Sequence, residues 1–493
     1  MEYDRILKII VEQSPGKWWR NYPPIFYEKP LPSRTIKGYL RNIFSAKKTN
    51  VFYNKRIPLR IVRRYLQNIF SRENTKDIGL YIHIPFCPSR CYFCAYYSKV
   101  IHNKEIMAEY LESLEKELLS YRVDYQPHSL QSVYIGGGTP TFLDEQSWKK
   151  IFKIVNRFFR IDNDAQIATE GTPETCTYSK LKLLKDLGVN RFSIGAQTFD
   201  DKILSSFNRR HSVSDIYIAF ENARKVNFKY LNVDLLFGLP GETEETFFKT
   251  LKHIVALKPD CISPAFLWFN KNVLFSKEEA KNAYVTRDQS DAKSLLQISK
   301  FLKPFGYRNI INGVYYQCFF LNGQIQVRNK NIIPKGSSGS TFSLGCSSRS
   351  YLNYSSGKCH QLQYLHEADI KEYISRLKKC KDLFLWGVEL PEDEIIRQYL
   401  VHCFVFLKGR INKKYFFSRF KKELMPYLKA NFSRLLNDNK FTETQEDVCF
   451  HQKDPYSFVN RKALLLFCLK YLYSSKILNG IEELARGNNN LIQ

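Results

Sequence analysis

The chain has no long hydrophobic run: no window of its 493 residues approaches the roughly 20 uninterrupted apolar residues that a membrane-spanning helix needs. Its first residues, MEYDRILKII, lack a basic stretch followed by an apolar one, so they carry no secretory signal and a cytoplasmic location is expected. Cysteine offers no disulfide scaffold, because the 12 cysteines are scattered along the chain and only three of them cluster. Acid is short too. The 48 Asp and Glu against 75 Lys and Arg leave a net charge of +27, spread along the whole length. Such a field attracts polycarboxylates, nucleic acid or anionic lipid without choosing among them, and a merely solvated basic surface accounts for it equally well. What is plentiful is aromatic side chain, 15% of the residues, in a chain long enough for two or three structural units.

The informative stretch is Gly79-Leu-Tyr-Ile-His-Ile-Pro-Phe-Cys-Pro-Ser-Arg-Cys-Tyr-Phe-Cys-Ala-Tyr-Tyr-Ser98. Tyr81, Ile82 and Ile84 predict a short buried strand that Pro85 stops, since proline gives a ladder no N–H. Cys87, Cys91 and Cys94 follow with the spacing C-x3-C-x2-C, so one tight loop presents three thiolates to a soft metal centre. A cubane [4Fe–4S] cluster usually takes four thiolates, and three would leave one iron open. An open iron can bind the amino and carboxylate groups of S-adenosylmethionine and pass an electron into its sulfonium, giving a 5′-deoxyadenosyl radical. A closed zinc site is the competing reading, but it needs a fourth ligand nearby, and neither His83 nor Cys176 continues a finger-like spacing.

In chain order, residues 1–76 read as a basic N-terminal extension, with 17 basic against 5 acidic residues. Gly16-Lys-Trp-Trp-Arg20, Tyr22-Pro-Pro24 and Pro30-Leu-Pro32 break it up, and Arg56–Phe70 suits a helix or wrapping arm. Its interleaved aromatics can touch nucleic acid, but an arm covering a barrel end is the favoured reading. Residues 77–310 alternate strands with amphipathic helices. The expected strands are Leu80–Ile84, Ser132–Ile135, Gln166–Thr169, Arg191–Gly195, Tyr230–Leu236 and Cys261–Phe266. The expected helices are Lys104–Tyr121, Ser147–Phe159, Tyr178–Leu187, Ser214–Lys225 and Glu244–Val255. That alternation predicts an α/β fold, a parallel sheet curled into a partial (β/α)6 TIM-like barrel. Residues 311–366 read as a loop-rich connector with short strands, and 367–493 as a mostly helical, winged-helix-like domain.

Functional groups of such barrels gather where strands end. Gly136-Gly-Gly-Thr-Pro-Thr141, after the second strand, lets backbone N–H groups approach a ligand. Glu170, Gln197, Arg209 and Asp234 fall at or near later strand ends. A buried carboxylate there is costly unless paired. Glu170 can accept from an ammonium, Arg209 can clamp a carboxylate, and Gln197 and Asp234 can take ribose hydroxyls. A salt bridge or helix cap is the bland alternative for each.

The Cys-x3-Cys-x2-Cys loop after a strand resembles the radical S-adenosylmethionine superfamily. Tyr81-Ile-His-Ile-Pro-Phe-Cys87, the triple-glycine turn, Gly188-Val-Asn-Arg-Phe-Ser-Ile-Gly-Ala-Gln197 and Asp234-Leu-Leu-Phe-Gly-Leu-Pro-Gly241 resemble, within it, oxygen-independent coproporphyrinogen III oxidase and its heme chaperone and radical methyltransferase relatives. The resemblance implies a cluster on Cys87, Cys91 and Cys94, and S-adenosylmethionine, one or two per active site. Its contacts would be Tyr81, Phe93, Gly137, Gly138, Thr139, Glu170, Gln197, Arg209 and Asp234. It implies a small-molecule substrate such as a tetrapyrrole, changed by C-methylation or oxidative decarboxylation, and an electron donor such as flavodoxin or ferredoxin. Nucleic acid is not expected as a partner. Two departures bear on the reaction. Tyr96, counted here with the catalytic residues, stands where the oxidases often carry a further cysteine. Ile311-Asn-Gly-Val-Tyr-Tyr316 has isoleucine where the chaperone branch carries a histidine, and isoleucine cannot ligate heme iron. Ser343-Leu-Gly-Cys-Ser-Ser-Arg-Ser-Tyr-Leu352 points toward the methyltransferase-like branches. A true oxidase and a heme chaperone remain the alternatives.

Overall fold

The structure is a computed structural model that describes residues 51–52, 57–71, 78–94, 96–126, 129–267, 294–312, 317–322, 339–356, 358–390, 392–407, 409–451 and 467–472. The turn signals before residue 51 and Gly313–Tyr316 lie outside these residues.

The strands of the first half are β1 (Val51–Phe52), β2 (Ile78–Ile84), β3 (Phe86–Cys87), β4 (Lys99–Val100), β5 (Ser129–Gly137), β6 (Arg160–Gly171), β7 (Arg191–Gln197), β8 (Tyr230–Phe237) and β9 (Cys261–Phe266). The helices are α1 (Leu59–Phe70), α2 (Lys104–Tyr121), α3 (Glu145–Phe158), α4 (Tyr178–Asp186), α5 (Asp201–Ser206), α6 (Val213–Val226) and α7 (Glu244–Leu257). Each expected strand and helix of the barrel is present. Asn103, Asp144, Thr177, Ser212 and Thr243 cap five of the helices by accepting from a backbone N–H of the first turn.

β2, β5, β6, β7, β8 and β9 lie side by side and parallel. The sheet does not stop there. β10 (Tyr307–Asn312) and β11 (Gln317–Leu321) extend it beyond β9, while β12 (Ser340–Leu344), β13 (Arg349–Ser356), β14 (Lys358–His366) and β15 (Phe384–Leu390) extend it beyond β2. Within the expected loop-rich connector, the described residues 340–366 are mostly strand: β13 and β14 are 8 and 9 residues long and pair along their length. Ser340, Ser343, Ser350, Asn353 and Ser355, which read as loop, occupy ladder positions instead, because burial and pairing outweigh weak strand propensity.

Alternation decides the two faces of this sheet. Leu80, Ile82, Val133, Ile135, Phe192, Ile194 and Val233 point to one side and share a core with Leu114 and Leu118 of α2, Trp148 and Ile151 of α3, Leu181 of α4 and Phe220 of α6. The residues between them are polar: Tyr81 and His83 on β2, Tyr134 on β5, Gln166 and Glu170 on β6, Arg191 and Ser193 on β7, Asn232 and Asp234 on β8, and Ser263 on β9. This polar side lines a chamber. The helix α10 (Glu392–Phe406), preceded by a helix over 294–302 taken as α8 and by α9 (Ile370–Lys378), packs against both β14 and β10. It turns the buried polar residues Glu394, Gln398 and His402, spaced four apart, to one of its faces. Beyond it, α11 (Lys413–Phe420), α12 (Leu424–Asn431) and α13 (Ser433–Asp438) accompany a small antiparallel sheet of β16 (Arg410–Asn412), β18 (Asp447–Phe450) and β17 (Phe441–Glu443). No described helix is long and apolar enough to cross a membrane.

Candidate active site

At the end of β2 the chain folds back on itself, β3 pairing with β4 so that residues 88–98 form a closed loop. Neighbours fix both sides of the loop. Gly138 N donates to the Ile84 carbonyl at 2.7 Å and Thr139 N to that of Phe86 at 2.8 Å. On the far side Tyr92 N donates to the Phe207 carbonyl at 3.2 Å, and Asn208 Nδ2 to that of Arg90 at 2.9 Å. The cysteines described are all thiols. Thr139 Oγ1 lies 3.5 Å from Cys87 Sγ and Arg209 Nη1 3.3 Å from Cys91 Sγ. Burial pushes the Cys87 thiol up, and burial followed by the neighbouring Cys91 pushes Cys94 up to about 11. A metal must displace these protons as it binds. Among the described residues no three His, Cys, Asp or Glu side chains are gathered around a single point. A cubane, whose ligands sit on separate irons, asks for a wider triangle.

The triple-glycine turn lies against the loop, and its lack of side chains is required by contact. A Cβ at Gly138 would stand 2.5 Å from the Phe86 carbonyl oxygen and 3.0 Å from Cys87 Sγ, and one at Gly136 would stand 2.3 Å from the Tyr134 ring. Gly137, with φ of +124°, presents its N–H to Glu170 Oε1 at 2.9 Å, and Tyr134 Oη donates to Glu170 Oε2 at 2.5 Å. Asp234 is held in the same way, accepting from Ser193 Oγ at 2.6 Å and Asn232 Nδ2 at 2.9 Å. Both carboxyls face the open chamber but have protein on every other side, and burial pushes both up. Gln197, at φ of +70°, ends β7 beside Gly195. Arg209 Nη2 donates to the Gly195 carbonyl at 2.6 Å, while its Nε is buried with no partner.

Tyr81 Oη meets His83 Nδ1 at 3.0 Å, and its ring stacks on Tyr134 with centroids 5.9 Å apart. Phe93 packs its ring toward Phe207, 5.9 Å away, beside Leu236 and Leu239. Tyr96 is 72% exposed and within electrostatic reach of Glu170, Cys94 and Asp234. The structure thus gathers the loop, the glycine turn, Glu170, Gln197, Arg209 and Asp234 around one chamber mouth. A buried guanidinium nitrogen without an acceptor, two held carboxylates and a bare-backbone turn fit the carboxylate, ammonium and ribose of S-adenosylmethionine beside a cluster.

A family model described as the radical SAM superfamily matches residues 81–254. The heme chaperone HemW of Buchnera aphidicola subsp. Schizaphis graminum is 31% identical over 367 residues, covering 74% of this chain and 87% of that one. The chain belongs to this family. It is the radical S-adenosylmethionine family of HemW and the oxygen-independent coproporphyrinogen III oxidases, whose cofactors are a [4Fe–4S] cluster and S-adenosylmethionine. HemW of Bacillus subtilis is 39% identical over 176 residues, 36% of this chain and 45% of that relative. The oxygen-independent coproporphyrinogen III oxidase of Escherichia coli is 26% identical over 337 residues, 67% of this chain and 72% of the enzyme. The solved coproporphyrinogen III oxidase structure from Escherichia coli has the same fold, with a TM-score of 0.65 at 20% identity over 83% of this chain and 93% of that one.

Several residues of this candidate site were not singled out from the sequence. Tyr134, Ser193 and Asn232 orient the two carboxylates, and Arg191, 4% exposed, lowers both of their pKa values through its charge. The signal was present: Ser193 pairs with Glu170 across the sheet, Asn232 stands two positions from Asp234, and Tyr134 and Arg191 both pair with Ala168, two positions from Glu170.

Proposed function

We propose that the chain is a radical S-adenosylmethionine enzyme that modifies a tetrapyrrole or another unsaturated small molecule, by C-methylation or oxidative decarboxylation. The observation that carries the reading is Arg209, which spans from Cys91 to the Gly195 carbonyl and keeps a buried Nε without an acceptor at the chamber mouth. Cys87, Cys91 and Cys94 hold the cluster in this reading. Arg209 takes the cofactor carboxylate, Glu170 and the backbone of Gly137, Gly138 and Thr139 its ammonium end, Gln197 and Asp234 the ribose, and Phe93 and Tyr81 the flanks. Bound there, the cofactors supply a 5′-deoxyadenosyl radical after one electron from a small redox protein such as flavodoxin or ferredoxin. The protein's own part is to orient and enclose. Tyr134 and Ser193 keep Glu170 and Asp234 aimed at the chamber, and Tyr96 borders the space left for substrate. Residues 77–310 carry the cofactors, and residues 311–493 close the substrate side.

A heme-binding delivery protein is the second reading, favoured by the HemW relative matched over 87% of its length; a true coproporphyrinogen III oxidase is the third. Anaerobic reconstitution, reduction with dithionite and chromatography of 5′-deoxyadenosine test the enzyme reading. About four irons per chain and cleavage that vanishes in a Cys87→Ala/Cys91→Ala/Cys94→Ala variant are expected. Cleavage by that variant, or zinc in the native site, refutes it. Mass spectrometry of products from a panel containing coproporphyrinogen III separates methylation from decarboxylation, and heme titration tests delivery.

A further inference from the structure

Two neighbouring carbonyls near the end of β7 are held by two side chains of one short segment. Arg209 takes the first, its Nη2 donating to the Gly195 carbonyl at 2.6 Å. His211, two residues further on, takes the second: its Nε2 stands 3.3 Å from the Ala196 carbonyl oxygen, which can only accept. The next residue is Gln197, at φ of +70°. Thr198 N donates back to the same Ala196 carbonyl at 2.9 Å and closes a three-residue turn around Gln197. Such a turn with its central residue at positive φ is rare and strained, and it persists only where its surroundings hold it. The strand register shows what the turn achieves. Gly195 pairs with Asp234 and Gln197 with Leu235, so Ala196 is an extra residue on β7, and a bulge of this kind re-aims the side chain beside it. A Cβ at Gly195 would stand 3.0 Å from Gln197 Nε2 and 3.7 Å from Arg209 Nη2, which places amide and guanidinium side by side at the chamber mouth.

His211 is itself held. Its side chain is 0% exposed, and its Nδ1 faces Glu174 Oε2 at 3.3 Å. Neither of these two buried atoms has a hydrogen-bond partner elsewhere among the described residues. Glu174 lies in the turn Pro173–Thr175 that follows β6, four residues beyond Glu170. Burial would raise its carboxyl, but the hydrogen bond to His211 and then the charge of Arg209 outweigh burial and hold the group below its ordinary value. One carboxylate from the neighbouring strand end thus bears on both side chains that grip the end of β7. Packing alone would ask for neither a carboxylate on one nitrogen of the ring nor a strained turn's carbonyl on the other.

We propose that Glu174 and His211 are positioning residues for the cofactor: Glu174 fixes the imidazole, the imidazole fixes the Ala196 carbonyl, and the turn so held presents Gln197 to the ribose of S-adenosylmethionine. This rests on S-adenosylmethionine occupying the chamber mouth. The test is calorimetric titration of S-adenosylmethionine into the anaerobically reconstituted full chain, with iron content and thermal unfolding measured alongside. The chains compared are wild type, His211→Ala, His211→Gln, Glu174→Gln, Gln197→Ala, and the double variants that join Gln197→Ala to His211→Ala and to Glu174→Gln. His211→Ala should weaken binding about tenfold, as the loss of an outer support does at other sites, while iron stays at about four per chain. His211→Gln, whose amide still donates to Ala196, should recover part of that loss, and Glu174→Gln, which trades a charged acceptor for a neutral one, should lose about threefold. Because both residues act through Gln197, each double variant should bind within about twofold of Gln197→Ala alone, whereas a merely structural loss would multiply with it. If His211→Ala loses iron or stability, the cycle made with Glu174→Gln, at a partly exposed carboxylate, decides in its place. Binding by His211→Ala or Glu174→Gln equal to that of wild type, or losses that multiply with that of Gln197→Ala, overturns the positioning role and leaves the cofactor site intact. No binding by wild type overturns the site and this inference together.

Discussion

Replacing Glu117 by Ala removes the centre of a buried network that pins the chamber wall to its outer helices. Glu117 on α2 and His366 at the end of β14 are both 0% exposed. Glu117 Oε1 accepts from His366 Nε2 at 2.7 Å and Tyr121 Oη at 2.6 Å, and Oε2 accepts from Gly345 N at 3.1 Å and from the Tyr373 phenol of α9. Burial alone would raise the carboxyl, but His366, Tyr121 and Tyr373 outweigh it and hold the group below its ordinary value. Breaking such a pair by deleting one partner costs about 3–5 kcal/mol. Three further donors lose their acceptor at about 1–3 kcal/mol each, a sum that relaxation and entering water cut back. A loss near the top of the pair's range, about 5 kcal/mol, is expected for Glu117→Ala, and about half that for Glu117→Gln, which keeps an acceptor oxygen. Urea unfolding followed by circular dichroism reads this as a midpoint lowered by about 1 M or more. In a cycle with His366→Ala, the double variant should lose less than the sum of the single ones. Because the carboxyl is lowered in the folded chain, its share is present at neutral pH and lost as acid takes the pH down through the folded value; Glu117→Gln should lack that loss. A Glu117→Ala chain within about 1 kcal/mol of wild type would refute the network.

Arg209→Ala and Asp234→Ala should each weaken S-adenosylmethionine binding about tenfold or more by calorimetry while iron content stays whole; unchanged affinity in both would mean that the cofactor lies elsewhere. With tyrosine at position 96, coproporphyrinogen III should be a poor substrate although uncoupled cleavage of S-adenosylmethionine persists, in wild type as in Tyr96→Phe. Efficient protoporphyrinogen formation by wild type would sink this idea, and Tyr96→Cys is the comparison to run beside it. Burial, then Arg419, pushes the His402 imidazole down to about 3, so the folded chain keeps it neutral where the unfolded chain protonates it. Stability should be full above the unfolded value near 6.5 and fall by about 1.4 kcal/mol per pH unit from there toward 3. His402→Gln should flatten that slope.

The barrel was legible because its signals are local. A strand such as Tyr230–Phe237 announces itself within eight residues, and the cysteine loop within eleven. The strands of 340–366 were not, because Ser340–Leu344 and Arg349–Ser356 owe their conformation to pairing with β2 and with each other, and their serine-rich composition favours turns when read alone. Glu117 and His366 are 249 positions apart, and nothing near either one marks it as a partner. Tyr134, Ser193 and Asn232 lay between: period-two alternation puts them on the same face as Glu170 and Asp234, but which face lines a chamber depends on where the helices pack.

That dependence on register joins the two walls. Moving β13 by one residue against β12 would turn Arg349, Tyr351 and Asn353 from the chamber to the helix side, since successive side chains alternate. Pairing with β12 is short, and Ser343 reinforces it from both ends, its N–H donating to Ser350 Oγ at 3.0 Å and its hydroxyl to the Arg349 carbonyl. The turn between the strands is fixed from beneath. Gly345, at φ of +93°, donates to Glu117, Cys346 N donates to Tyr110 Oη at 3.1 Å, and Tyr110 Oη donates to the His83 carbonyl at 2.8 Å. His83 sits between Tyr81 and the cysteine loop. The same buried groups that set the register of β13 therefore rest on β2, the strand that leads into the cysteine loop, so the two walls keep a fixed separation although more than 250 residues of chain divide Tyr81 from Arg349.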